Sequence, residues 1–378
     1  MCIRDRSGVG DLWCERRLLA RIHRYSREKR RQAVKPVPPA AYQRFLARWH
    51  ALDDPASLEQ ALERLEGWTA PVGSWTSALL ARRVHGFDVA ELDRQLLSGR
   101  MNWFRPVQTG GDAKQVVAQS TVALVPRSQL DDWRAGAAPE IHPDRERETA
   151  AQQLVEALGQ RGAQFFEDLQ RGTGLTREDM ESGLRSLVHE GAVTADAFSP
   201  LEGLLKPARR KRRGRKRQAR GRADLPVGRW SLLDPPPQQP TPAGPSTQRQ
   251  RQLATVCMAL LRRYGVVFRA VLERETLLPP WRELLHAFRR MEDRGEVHGG
   301  RFVDGFTGEQ FALPEAERLL RQCQQPARRP AVTVITGPDP LNLGGIIVPG
   351  PKTCLLYTSP SPRDNDWYRV CRLLLEKG

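Results

Sequence analysis

The chain of 378 residues contains no apolar run approaching the ~18 to 20 residues that cross a bilayer, and no charged stretch followed by an apolar segment opens it. A cytoplasmic protein with no membrane partner is therefore expected. Cysteine is sparse: Cys2, Cys14, Cys257, Cys323, Cys354 and Cys371 form no C-x-x-C pair and meet no histidine pair at ligand spacing. Neither a structural zinc nor a disulfide framework is indicated. Acidic residues are the minority, 44 against 60 Lys and Arg, which gives a net charge of +16. Eleven of the positive charges fall in one run without an acidic residue, KPARRKRRGRKRQARGR at 206–222, and without them the rest carries only +5. Such a run is either a phosphate-binding patch or a solvated insert, and composition alone leaves both open.

With 39% hydrophobic and 28% charged residues, the chain can bury cores for about two to four domains of ~100 to 200 residues each. Two end segments look foreign to it. MCIRDR at 1–6 and CLLYTSPSPRD at 354–364 resemble translated sequencing adapters, so 1–6 and 354–378 are set apart from fold reasoning, and the natural protein is expected to continue past both.

The interior repeats itself. LLSGRMNWF at 96–104, LVHEGAVTADAF at 187–198 and MEDRGEVHGGRF at 291–302 each place a glycine, Gly99, Gly191 or Gly295, between an amphipathic helix and an extended stretch. The third helix begins after Pro279 and Pro280 and buries Trp281, Leu284, Leu285, Phe288 and Met291, leaving Arg282, His286, Arg289 and Asp293 on another face. The second has a cap at Thr176 with Asp179, an apolar face of Met180, Leu184, Leu187 and Val188, and Arg177 and Arg185 pointing elsewhere. The first starts at Asp88 and buries Val89, Leu92, Leu96 and Leu97, with the less basic Asp93, Arg94 and Gln95 outward. Further helix precedes each, including Tyr42, Phe45, Leu46 and Trp49. A returning strand follows each: TVALVPR at 121–127, GRWSLL at 228–233, GEQFALPEA at 308–316.

Helices, a glycine-closed last helix and a strand hairpin make a winged helix, and three copies make a tandem array. The expected class is mainly α with small β wings (α+β). In such a unit the last helix can enter a major groove while the wing touches phosphates. Arg177, Arg185, Arg282, His286, Arg289, Arg290 and Arg301 are thus candidate DNA contacts, each also readable as a solvated surface residue. Arg209, Arg210, Lys211, Arg212, Arg213, Arg215, Lys216 and Arg217 sit between the strands of the second unit, in an overgrown wing tip. The following DPPPQQPTPAGPSTQRQ reads as a linker.

DLWCERRLLARIHRYSREKRRQAVKPV, YQRFLARWHAL, LLRRYGVVFRAVLERE, PPWRELLHAFRRMEDRGEVHGGRFVDGFTGEQFALPEA and DPLNLGGIIVPG together resemble the C-terminal region of the large helicase-related (Lhr) family. The basic helix from about Leu12 to Arg31 is expected to bury Leu18, Leu19, Ile22 and Tyr25, and the resemblance makes it a junction helix at 8–34 ahead of the winged-helix units read above, at 35–135, 145–233 and 251–325. The linker takes 234–250, and a terminal β-barrel begins at 331–353. It also implies a parent whose motor domains use ATP and Mg²⁺. No G-x-x-x-x-G-K-[ST] loop occurs in this chain, so no cofactor and no ATPase activity are expected of it. The leading expectation is a DNA-binding and assembly module of a repair helicase, on single-stranded or duplex DNA. A second is uracil removal from DNA, with Asp304, Glu309, Gln310 and Asp339 as candidate catalytic groups and an equally ordinary structural use for each. A third is a scaffold for a homo-oligomer, to which Trp49, Trp68 and Trp75 offer apolar surface if they are not core.

Overall fold

The computed structural model describes residues 15–52, 56–106, 120–136, 149–205, 228–233, 245–324 and 333–350. Three short strands, β1 (Cys2–Ile3), β2 (Leu12–Trp13) and β13 (Cys371–Leu373), stand outside these ranges. The basic run at 206–222 lies outside the described residues.

Each glycine-marked repeat folds as the same unit. In the first, α3 (Leu58–Leu65) starts at a capping box in which Ser57 and Gln60 exchange hydrogen bonds, a device that stabilises a helix by about 1 kcal/mol. It leads to β3 (Thr69–Pro71), α4 (Val72–Ser74) with a π-helical continuation at Trp75–Leu80, α5 (Val89–Leu97) and the hairpin β4 (Met101–Phe104) and β5 (Thr121–Pro126). A short helix, α6 (Leu130–Gly136), follows the wing. The second unit runs α7 (Thr149–Arg161), β6 (Gln164–Phe165), α8 (Phe166–Thr173), α9 (Arg177–His189), β7 (Val193–Ala195), α10 (Ser199–Leu205) and β8 (Arg229–Leu232). The third runs α11 (Pro245–Tyr264), β9 (Val266–Val267), a 3₁₀ segment at Arg269–Arg274, α12 (Trp281–Asp293), β10 (His298–Gly300) and β11 (Gln310–Ala312). The strand orders are β3-β5-β4, β6-β8-β7 and β9-β11-β10, so in each unit the returning wing strand pairs with both the outgoing one and the strand between the helices. Gly99, Gly191 and Gly295 have φ of +73°, +67° and +76°, the left-handed conformation that lets each third helix stop and turn into its wing.

Several expectations are corrected. The helix expected from Leu12 is α1 (Arg16–Ala33), and it buries nothing: Leu18, Ile22 and Tyr25 are 49%, 48% and 68% exposed. Leu19 is half-buried, and the ion pairs that tie the helix to the body come from Arg27 and Arg31 in its C-terminal half. Leu97 is 48% exposed, because one residue past Leu96 turns it off the core face. The segment after Ala195, read as a strand, makes α10; the Asp93 carboxylate accepts from the Phe198 and Ser199 amides at its start. α11 begins inside the expected linker, where Arg249 pairs with Glu283; just past it Gln252 donates to the Asp132 carbonyl. No closed barrel forms among the described residues; β12 (Thr333–Ile335) pairs with β13, and Ile335, Leu341, Leu343 and Ile347 enter a winged-helix core.

The cores do not follow unit boundaries. α2 (Pro39–Trp49) packs into the third unit: Tyr42 Oη donates to the Tyr264 and Val266 carbonyls, and Trp49 Nε1 to that of Arg262. α13 (Pro314–Gln322), opened by its own proline, packs on α2. The first unit shares its core with the second. Thr194 Oγ1 binds the Trp103 carbonyl at 2.7 Å, and Trp103 and Trp230 meet edge to face at 6.2 Å. Trp68 and Trp75 are 1% and 0% exposed and donate to the Pro338 and Val122 carbonyls, so the three tryptophans are core rather than docking surface.

Candidate nucleic-acid interface

The apolar face of α12 fixes what its other face can do. Leu284, Phe288 and Met291 are buried, with Phe288 stacked on Phe311 of the wing at 5.2 Å. Arg282, His286, Arg289 and Arg290 are exposed, as is Arg301 beyond β10. The side chains of Arg282, His286, Arg290 and Arg301 make no hydrogen bond or ion pair among the described residues. Arg289 differs: its guanidinium grips Glu309 of the wing at 2.9 and 3.2 Å. Burial raises the Glu309 carboxyl, but Arg289 and Arg31 outweigh it and hold the carboxyl below its ordinary value.

α1 lies against this unit and neutralises its acidic side. Arg31 Nε binds Glu292 at 2.8 Å and its NH1 reaches Glu309 at 3.4 Å, while Arg27 pairs with Asp293. The positive groups left unpaired on α12 are therefore not cancelled by its own carboxylates. They reach from its N-terminal turn to Arg290.

An open cleft of about 600 Å³ adjoins the N-terminus of α12, between it, the 3₁₀ segment and the wing tip. Trp281, Leu278 and Pro279 form one side, Phe306 and Thr307 the wing side, and Arg269 the rim. Gly305 and Gly308 at φ +82° and +95° shape the tip that carries Phe306.

The other two third helices are more engaged. Arg177 and Arg185 both pair with Glu181, at 3.1 and 3.0 Å, and Arg185 also donates to the Leu204 carbonyl. On α5, Asp93 is taken up by α10, and Thr76 nearby bonds Glu202, so this face docks the second unit. Arg209, Arg210, Lys211, Arg212, Arg213, Arg215, Lys216 and Arg217 lie outside the described residues.

The catalytic candidates are dispersed. Asp339 is 3% exposed and held at both carboxylate oxygens by Arg83, at 2.8 and 3.0 Å. Gln310 is fully buried and braces the wing, accepting from the Phe302 and Val303 amides and donating to the Val303 carbonyl. Glu309 is held by two arginines, and Asp304 is exposed in the hairpin with no side-chain partner among the described residues. No group of three or more potential metal ligands assembles among the described residues, and no described helix is long and apolar enough to cross a membrane. Sequence reasoning missed Arg269, Phe306 and Thr307; the signal was the DGFTG tip, whose two glycines mark a shaped turn.

Comparison with known proteins follows this division. Residues 37–127 and 246–332 each match a winged-helix domain of the large helicase-related protein. Similar proteins include the "Lhr helicase/uracil glycosylase" of Escherichia coli K12, 26% identical over 388 residues covering 90% of this chain and 24% of that protein. Another is the "Lhr helicase/ probable uracil glycosylase" of Mycolicibacterium smegmatis, 28% identical over 339 residues covering 82% of this chain and 21% of that protein. The chain thus spans less than a quarter of the length of the curated relatives it matches. Two of the chain's three winged-helix units are thus similar to winged-helix domains of the large helicase-related protein.

Proposed function

We propose that this chain is the DNA-binding and assembly module of an Lhr-type ATP-dependent DNA helicase acting in DNA repair, with ATP and Mg²⁺ serving motor domains of the parent. The carrying observation is the unpaired basic face of α12, Arg282, His286 and Arg290, together with the exposed Arg301 of the wing, on a winged-helix scaffold. Assembly rests on the shared cores, which hold neighbouring units in fixed relation; self-association into a homo-oligomer would extend the same role and is read by light scattering across concentration. Electrophoretic shift with single-stranded and duplex DNA at two salt concentrations tests the binding. Phosphate contacts predict a log affinity falling by roughly 0.9 per contact per log unit of salt on duplex, and absence of binding at ~50 mM salt would end the reading.

A second reading is favoured by the names of the two relatives, which couple helicase to uracil glycosylase. Such chemistry needs a flipped nucleotide and a polar group free to position water or stabilise the sugar cation. Of the four candidates, Asp304 alone is exposed and unengaged. Alkali-sensitive cleavage of a uracil-containing oligonucleotide, lost in Asp304→Asn, would support uracil removal by this chain; no cleavage would leave binding as its role.

A further inference from the structure

We propose that the cleft between Trp281 and Phe306 in the third unit receives one unpaired nucleobase, which makes this unit a reader of single-stranded or unstacked DNA. The inference rests on the DNA-binding reading above and specifies which form of DNA this unit engages.

The cleft's chemistry matches a base more closely than a base pair or a phosphate alone. Its volume, about 600 Å³, lies in the range of small-molecule sites, and its open mouth would let a base enter while its backbone stays outside. Two aromatic side chains line it from different elements, Trp281 from the start of α12 and Phe306 from the wing tip. Each is braced by a further ring, Trp281 by Phe288 at 6.4 Å and Phe306 by Phe268 at 4.8 Å, so neither must be ordered when a base enters. Leu278 and Pro279 supply an apolar wall. The polar lining is Arg269, exposed and unpaired among the described residues, the exposed Thr307 hydroxyl, and the Glu273 carboxylate one helical turn from Arg269. Stacking inside with a cation and a hydroxyl at the mouth is the pairing a nucleotide presents, an apolar-faced ring joined to an anion.

Position adds a second argument. The cleft opens at the N-terminal end of α12, next to Arg282, where a winged helix presents residues to a groove. The far end of α12 is occupied by α1 through Arg27 and Asp293. A strand tracking Arg282 would pass the cleft, and a duplex would have to give up a stacked base to fill it.

The test compares the full chain's affinity for a single-stranded oligothymidylate with that for the same oligomer bearing abasic sites at its centre. Stacking predicts a preference of about 5- to 140-fold for the base-bearing strand. The double variant Trp281→Leu with Phe306→Leu keeps apolar volume and is expected to lose the preference. Arg269→Gln, which leaves the rings in place, is expected to weaken both oligomers by the same factor and keep their ratio. Equal wild-type affinities for the two oligomers would overturn the inference while leaving DNA binding intact, and would assign the cleft to another occupant such as an apolar peptide side chain. A preference that survives the double variant would also overturn it. Failure to bind either oligomer at low salt would overturn the DNA-binding reading itself.

Discussion

Arg83 and Asp339, separated by most of the chain, meet in a buried two-point ion pair at 2.8 and 3.0 Å with side-chain exposures of 0% and 4%. Around it, Arg274 donates to the Gly337, Asp339 and Asn342 carbonyls and Gln43 to that of Leu341, so residues 337–342 are clamped between the first and third units. The pair is a structural rivet.

Breaking it from one side strands a buried charge. Asp339→Asn is expected to destabilise the chain by about 3 to 5 kcal/mol in denaturant unfolding, whereas the double change Arg83→Met with Asp339→Leu costs far less, because neither charge then remains. Equal losses in both variants would assign the effect to packing instead.

His50 sits beside this pair, against Arg83. One ring nitrogen lies 2.7 Å from the Arg263 carbonyl and the other accepts from Arg83 Nε at 3.1 Å, an arrangement met only by the neutral ring. Burial, then the charges of Arg83, Arg64 and Arg263, outweigh the Arg263 carbonyl and push its pKa well below the ordinary 6.5. The unfolded chain therefore binds a proton that the folded chain refuses. This contribution to stability is complete above about pH 6.5 and is lost as pH falls, by up to ~1.4 kcal/mol per pH unit. Unfolding midpoints between pH 7 and 5 are expected to fall more steeply in the wild type than in His50→Gln.

The arginines of α1 separate by burial. Arg31→Ala leaves Glu292, whose side chain is 5% exposed, without its principal partner, and is expected to cost roughly 1.5 to 3 kcal/mol. Arg27→Ala removes a pair to Asp293, which is 58% exposed, and is expected to cost less than about 1 kcal/mol. Urea unfolding of the two variants checks the order.

Glu309 acts as a brake on the α12 surface, since it occupies the Arg289 guanidinium. Glu309→Gln is expected to raise DNA affinity and steepen its salt dependence by about one phosphate contact. Arg282→Ala and Arg290→Ala shift both in the opposite sense by a similar amount each. Binding isotherms at several salt concentrations measure all three.

Local signals were legible in the sequence, and pairings between distant segments were not. Asp88, Thr176, Pro280 and the glycines at 99, 191 and 295 mark where helices start and stop because caps and left-handed turns depend on a few neighbouring residues. Spacing assigned Leu284, Phe288 and Met291 to a core correctly. It misplaced Leu18, Ile22 and Tyr25, because a periodic face states only that burial is possible and the covering surface must come from elsewhere. It could not place α2 in the third unit or Asp339 against Arg83, since long-range partners leave no local pattern. At the site, spacing put Arg282, His286 and Arg289 together on the outer face, but the Glu309 clamp on Arg289 and the cleft at Phe306 depend on wing geometry.

The run at 206–222 holds eleven of the chain's positive charges and yet falls between α10 and β8, apart in sequence from α12. Lysine and arginine contacts to phosphate add affinity without reading bases. Deleting 206–222 is therefore expected to weaken DNA binding and flatten its salt dependence, while the ratio of affinities for single-stranded and duplex DNA stays unchanged. The fold should persist, because β8 is held by its pairing with β6 and β7 and by the Arg229 to Asp196 ion pair at 2.7 Å, none of which involves the run. Isotherms for both DNA forms on the deleted and intact chains decide the matter: a shifted ratio would place discrimination in the run and take it away from α12.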